Sequence, residues 1–326
     1  MSILKSTVSD LLQGKKGILA ADESPKTLQK RFDKIGLSSN PDTNLAYRKM
    51  LFITPGIEEF LSGVILYDET IRQEIDGVSI PKYLESRGIL PGIKVDQGLE
   101  NLPNSPGEKI TNGLEGLSER LLEYKQMGAK FTKWRAAFII NEGLPTDECT
   151  ETNAEILAKY AKISQAAGLV PIIEPEVVRN GAHDLSKCKQ VTSKMLKRVF
   201  EKILEHSVVL EDLLLKTNMV TSGEGNPNQA SSEEVAKATV EVLLESVPKE
   251  VPGIVFLSGG QSPDMATDNL AAINKIGGPW QLSFSFARAL QDEALLKWVG
   301  KEENVAAAQK VFLERCRKVS VARSGN

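Results

Sequence analysis

Histidine is scarce in this sequence, and cysteine is little more common. The two histidines, His183 and His206, stand apart. A zinc site normally draws on several clustered nitrogen and sulfur ligands, so the residues disfavour a metal-dependent mechanism and no metal is expected. Cys149, Cys188 and Cys316 are odd in number, widely spaced and without a CxxC pair. That pattern fits reduced thiols in a cytoplasmic protein rather than a disulfide framework. No apolar run approaches the ~20 residues needed to cross a bilayer. The first residues, Met1 to Gln13, form an amphipathic stretch broken by polar residues, unlike a signal peptide. An excess of charge is missing too: the formal net charge of −3 gives no electrostatic case for nucleic acid. A GxGxxG after an early strand, which would support an open doubly wound sheet, is absent. No cofactor is expected.

What is present is a regular alternation. Short apolar runs recur at Gly17–Asp22, Gly63–Tyr67, Gly92–Asp96, Phe131–Phe138, Leu169–Glu174, Leu213–Met219, Gly253–Ser258 and Trp280–Phe286. These are eight strand candidates. Segments with apolar residues at three- and four-residue spacing lie between them. Leu114–Met127 and Ala154–Ala167 each end at a glycine, Gly128 and Gly168, as C-terminal helix caps do. Ser231 and Glu234 form a capping box opening a helix over Glu233–Val247. Val191–His206 and Asn304–Lys318 have similar periodicity. Strand and helix repeated eight times, with no Pro/Gly/Ser-rich linker across residues 1–326, predicts a single (β/α)8 TIM barrel domain. An open doubly wound sheet is the alternative.

A barrel keeps its chemistry at the C-terminal ends of its strands. Asp22, Lys94, Asp96, Lys133, Arg135, Glu174, Glu176 and Lys216 all fall within or at the ends of strand candidates. Such residues are seldom fully buried unless paired. Lys133 and Arg135 are two apart and point to one side of a strand, as do Glu174 and Glu176 if Pro175 does not bend it. A structural salt-bridge network is one reading, with Lys216 snorkelling to solvent. The other is chemical. An unperturbed lysine titrates near pH ~10.4. Desolvation and a second ammonium such as Lys133 favour the free amine, a nucleophile for carbonyl carbon. Glu174 can shuttle protons for carbinolamine dehydration, and Asp22 can take a proton from a substrate hydroxyl. That set suits Schiff-base carbon–carbon lyase chemistry.

Two segments suit anions. Leu257-Ser258-Gly259-Gly260-Gln261-Ser262 and Ser285-Phe286-Ala287-Arg288 follow the seventh and eighth strands, the usual phosphate site of phosphate-binding barrels. Glycine permits close backbone approach, and the Arg288 guanidinium suits a bidentate contact. Ser24, Thr27 and Arg31 after the first strand, with Lys94, make a second candidate site. Sites at both ends fit a bisphosphate.

The stretches Leu19-Ala20-Ala21-Asp22-Glu23-Ser24, Gly92-Ile93-Lys94-Val95-Asp96, Lys133-Trp134-Arg135, Pro171-Ile172-Ile173-Glu174-Pro175-Glu176, Leu214-Leu215-Lys216, Leu257 to Ser262 and Ala287-Arg288-Ala289-Leu290 occur in one order across nearly the whole chain. In these the sequence resembles the class I fructose-1,6-bisphosphate aldolases of animal and plant type. The resemblance implies a metal-free, cytoplasmic (β/α)8 barrel lyase of glycolysis and gluconeogenesis, usually a homotetramer, acting on a phosphosugar. It implies that Lys216 forms the Schiff base with the dihydroxyacetone phosphate moiety. Glu174 is then the proton carrier, Asp22 the base for the C4 hydroxyl and Lys133 a cation supporting both, and Glu176 is expected among the catalytic residues and Arg135 among those that bind substrate. Ser258, Gly259, Gly260, Ser285 and Arg288 correspond to ligands of one phosphate, with Arg31 close by; Ser24, Thr27 and Lys94 correspond to those of the other.

Departures from the family pattern are equally legible. Thr217 stands where a proline usually follows the lysine, Phe286-Ala287-Arg288 replaces Tyr-Gly-Arg, and Gln97 replaces a lysine. Ala287 tolerates positive φ poorly, which bears on the phosphate contact expected there. Animal members relay the α-proton through a tyrosine on a C-terminal tail. The last tyrosine here is Tyr160, so exchange of that proton is expected to be slow, or to be carried by Glu174 or water. Preference for fructose 1-phosphate or sedoheptulose 1,7-bisphosphate, or a catalytically weak binding scaffold, are the alternatives.

Overall fold

The computed structural model describes residues 2–325. Eight parallel strands close into a barrel: β1 (Gly17–Ala21), β2 (Leu61–Leu66), β3 (Leu90–Lys94), β4 (Phe131–Phe138), β5 (Val170–Val177), β6 (Leu214–Thr217), β7 (Gly253–Phe256) and β8 (Gln281–Phe286). Each pairs with its sequence neighbour, and β1 closes on β8 through Ile18–Ser285 and Leu19–Phe286. Closure rules out the open doubly wound sheet. All eight strand candidates are barrel strands. The fifth runs further than its apolar run indicates, because Pro175 lies inside β5 without ending it and the strand continues to Val177.

Helices between the strands form the outer layer. Ser231 and Glu234 make the capping box expected, opening Ser232–Ser246. Gly128 and Gly168 take φ of +111° and +76° just beyond their helices, a conformation glycine adopts without steric cost. Two helices begin earlier than their apolar periodicity suggests. Asp147–Ala166 starts at the Thr146 cap and Leu185–Glu205 at the Asp184 cap. Their first turns carry polar residues, which give no apolar repeat to read.

The barrel interior has two levels. At the N-terminal end of the strands, inward-facing Ile18, Ile65, Phe131, Val170, Ile172, Leu214 and Val255 form an apolar cluster. The amphipathic helix Ile3–Leu12 lies across this base and contributes Val8, Leu11 and Leu12 to the cluster. Room for these side chains comes from inward-facing glycines. A Cβ on Gly63 would stand 2.8 Å from Leu11, and one on Gly92 would stand 2.2 Å from the Phe131 ring. From the other end of the sequence, buried Arg323 donates to the carbonyls of Leu12 (2.7 Å) and Leu282 (3.3 Å). With carbonyls as its acceptors, burial draws its pKa down to about 10.

Replacing Gly92 by alanine is expected to cost about 1–3 kcal/mol through overpacking against Phe131. Urea denaturation measures it. Phe131→Leu in the same chain should recover part of the loss, whereas an unrescued Gly92→Ala would point to the backbone instead.

Candidate active site

Above the apolar base the inward positions become charged. Lys94 ends β3, Lys133 and Arg135 come from β4, Glu174 and Glu176 from β5, and Lys216 from β6; Asp22 follows β1 directly. Two-residue alternation aims these side chains inward while Trp134, Ile173 and Leu215 pack outward against the helices. Register brings them level: Lys94 pairs with Lys133, and Arg135 with Glu174. They line a cavity of about 1120 Å³ that opens among the strand-end loops. Every candidate residue named from the sequence lines it except Gly260.

Glu174 stands at the centre. One of its oxygens is 3.0 Å from Lys216 Nζ and the other 3.1 Å from Lys133 Nζ. Lys133 Nζ is also 2.6 Å from Asp22 Oδ2. Lys133, Glu174 and Lys216 are 3%, 4% and 4% exposed, so each charge depends on its partner rather than on water. Burial alone would raise the Asp22 pKa, but the Lys133 ammonium outweighs it, helped by Lys216 and Lys94, and holds the carboxyl at about 2. Burial likewise works against ionised Glu174, and Lys133 and Lys216 together pull it below the usual carboxylate range. Lys133 is desolvated, yet Asp22 and Glu174 raise its pKa above the ordinary lysine value. It is therefore a fixed ammonium between two carboxylates. The sequence suggests Lys133 as a neighbour repelling the Lys216 ammonium; the structure puts Glu174 between the two.

Glu176 extends the same row and binds Arg135 Nε at 2.5 Å. That contact, against the desolvation of the guanidinium, raises the Arg135 pKa. Lys94 is turned toward Asp96, donating to its carboxylate and its carbonyl.

In the loops after β7 and β8, Ser258 and Ser285 are buried, and Ser285 Oγ has no hydrogen-bond partner among the described residues. Gly259 passes so close to Glu176 that a Cβ would lie 2.9 Å from its Oε1. Gly260 turns away with φ +72°, its carbonyl accepting from Arg179 Nη1 at 2.8 Å. Arg288 opens the helix Arg288–Trp298, is exposed, and has no ion-pair partner among the described residues. Ala287 has φ −102°, so the positive φ anticipated there is not required.

After β1, Ser24 caps the helix Pro25–Phe32, its Oγ 3.2 Å from Thr27 Oγ1. Arg31 lines the cavity from this helix but is heavily engaged. It binds Glu23, Asp292 (2.9 Å), Gln291 (2.6 Å) and Tyr47 (3.1 Å), so contact with a ligand there has strong internal competition.

Sequence reasoning passed over several wall residues. Tyr67 follows β2 directly, where the strand-end rule that found Asp22 would also have found it. Arg120 and Tyr124 come from the helix Leu117–Gln126, and no sequence signal aims them at a strand end. Tyr160, the last tyrosine, is buried against Trp134 and bonded to Thr132, outside the cavity lining. His183 and His206 are also not among the lining residues.

Comparison with known proteins agrees with this geometry. The family model described as class-I fructose-bisphosphate aldolase matches residues 3–326. The chain belongs to the class I fructose-bisphosphate aldolase family. A Xanthomonas campestris protein named probable fructose-bisphosphate aldolase class 1 is 46% identical, covering 99% of this chain and 97% of its own length. Fructose-bisphosphate aldolase 5, cytosolic, of Arabidopsis thaliana is 49% identical over 95% of this chain and 87% of its own. The Plasmodium falciparum aldolase, solved with TRAP and a small-molecule inhibitor, superposes with a TM-score of 0.97 at 46% identity, covering 99% of this chain and 94% of its own. As a class I aldolase the chain is a carbon–carbon lyase acting on a phosphosugar.

The depressed Asp22 pKa has a stability consequence. A carboxyl near 2 when folded and near the ordinary aspartate value of 3.8 when unfolded stabilises the fold at pH above about 4. As pH falls from about 4 to about 2, roughly 2 kcal/mol of that stability should be lost. Asp22→Asn should flatten this part of the acid limb in urea titrations; an unchanged slope would show that Asp22 is not so held.

Proposed function

We propose that this aldolase cleaves fructose 1,6-bisphosphate reversibly through a Schiff base on Lys216. The observation that carries the reading is the Lys216–Glu174 contact of 3.0 Å in a buried, otherwise charge-matched layer. Glu174 takes the Lys216 proton, leaving a free amine to attack the C2 carbonyl of the ketose. Returning that proton to the carbinolamine hydroxyl lets water leave and the iminium form. Asp22 is a weak base at a pKa of about 2, so it works in concert with the iminium. The C3–C4 electron pair flows to the iminium nitrogen as the C4 hydroxyl proton moves to Asp22, releasing glyceraldehyde 3-phosphate. Protonation of the enamine at C3 and hydrolysis then release dihydroxyacetone phosphate. Lys133 holds Asp22 and Glu174 in place throughout, and Glu176 orders Arg135.

The two phosphates are assigned to two groups of lining residues, one in the loops after β7 and β8, the other in the loop after β1 with Lys94 of β3. Ser258, Gly259, Ser285 and Arg288 serve the ketone-side phosphate, supported by the free Arg288 guanidinium and the unpartnered Ser285 hydroxyl; Gly260, outside the lining, shapes the turn behind them. Ser24, Thr27 and Lys94 serve the other, with Arg31 behind them; Lys94 exchanges its Asp96 contact for the phosphate. A cytoplasmic setting is supported by three buried cysteines, all free, and the homotetramer usual in the family is the expected assembly.

Incubation with dihydroxyacetone phosphate and borohydride, with EDTA present throughout, should leave one reduced adduct, mapped by mass to Lys216. Lys216→Arg should lose it together with cleavage. Folded wild-type protein without an adduct would end the Schiff-base reading. Separately, Arg288→Gln should raise the KM for fructose 1,6-bisphosphate roughly 10- to 100-fold, as expected for a lost charged hydrogen bond. Steady-state kinetics with an unaltered KM would move the phosphate elsewhere.

A further inference from the structure

Strand β6 is held unequally by its two neighbours. Against β7 the pairing runs through Leu215–Ile254, Lys216–Val255 and Thr217–Phe256, and Leu257 N–H donates to the Thr217 carbonyl at 3.0 Å. Against β5 it covers only Leu214–Ile172 and Leu215–Ile173. The same offset places Lys216 opposite Glu174 and Thr217 opposite Pro175. Pro175 has no N–H with which to continue a ladder. The backbone pairing of β5 with β6 therefore stops one residue short of the Lys216–Glu174 pair.

Side chains take over at that level. Thr217 Oγ1, fully buried, donates to the Pro175 carbonyl at 3.1 Å. One residue on, Val177 N–H donates to Asn218 Oδ1 at 2.8 Å. The Thr217 hydroxyl thus grips the peptide between Glu174 and Glu176 from the residue that follows Lys216. We propose that Thr217 is a positioning residue: its bond to Pro175 keeps Lys216 Nζ within proton-transfer distance of Glu174. Without it, β6 stays registered on β7 and is tied to β5 only by the pairing below Lys216 and by Asn218 above it, so the Lys216–Glu174 contact through which Lys216 loses its proton can lengthen. The inference rests on Lys216 being the Schiff-base lysine and Glu174 its proton acceptor.

The test compares Thr217→Val, which keeps the branched shape and removes the hydroxyl, with Thr217→Ser, which keeps the hydroxyl. For the valine chain kcat should fall about tenfold, the scale on which small misplacements of reacting groups act, with KM within about twofold. Borohydride trapping of dihydroxyacetone phosphate should need higher pH, because free amine then has to arise without Glu174. The serine chain should behave as wild type within about twofold. A Thr217→Ala chain, set against serine, reads the same hydroxyl if valine disturbs folding. Valine with unchanged kcat and trapping profile would overturn the proposal, as would serine as impaired as valine, since packing rather than the hydroxyl would then matter. Absence of a trapped adduct on wild-type Lys216 would remove the underlying mechanism, an outcome distinct from normal trapping in every Thr217 variant.

Discussion

One buried carboxylate between two buried ammoniums is the constraint on which the upper half of the barrel depends. Glu174 bonds Lys216 with one oxygen and faces Lys133 with the other, and Lys133 passes on to Asp22. Two positive and two negative charges make this inner group neutral. Arg135 with Glu176 and Lys94 with Asp96 repeat the balance at its edges. Losing one member leaves a partner desolvated and uncompensated, which is far more costly than never burying the pair. The same balance keeps a proton acceptor against Lys216 while Lys133 stays charged. Catalytic geometry and electrostatic solvency of the core are here one requirement.

That requirement explains the division of the barrel into levels. Charges without water tolerate only well-fixed partners, so the floor beneath them has to be rigid and dry. The inward glycines at Gly63 and Gly92 admit Leu11 and Phe131 to seal that floor. Helix Ile3–Leu12 is amphipathic for this purpose: Val8, Leu11 and Leu12 join the seal while its other side meets solvent.

Much of this was legible from residue order alone. Apolar runs marked every barrel strand because strands covered on both faces lack polar interruptions. Charged residues breaking those runs near their ends marked the site, since such positions demand an explanation that solvent exposure does not supply. Pairing was not legible. Nothing local indicates that Lys133 meets Asp22 or that Arg31 meets Gln291 and Asp292, partners separated by over a hundred residues in the chain. Nor does Pro175 announce that β5 runs on to Val177, because a proline in a strand is tolerated only where its neighbour can do without the missing N–H. The Thr217 hydroxyl makes that accommodation visible only in three dimensions.

Arg323 draws the two ends of the described chain to one place. Its guanidinium binds the end of helix Ile3–Leu12 and the start of β8, and Gly325 lies beside Lys275 at the close of the helix Pro263–Ile276. Both ends therefore hang from the sealed base, on the face opposite the substrate mouth. A segment joined at either place would therefore leave this barrel on the side away from its mouth and would not cover the entrance.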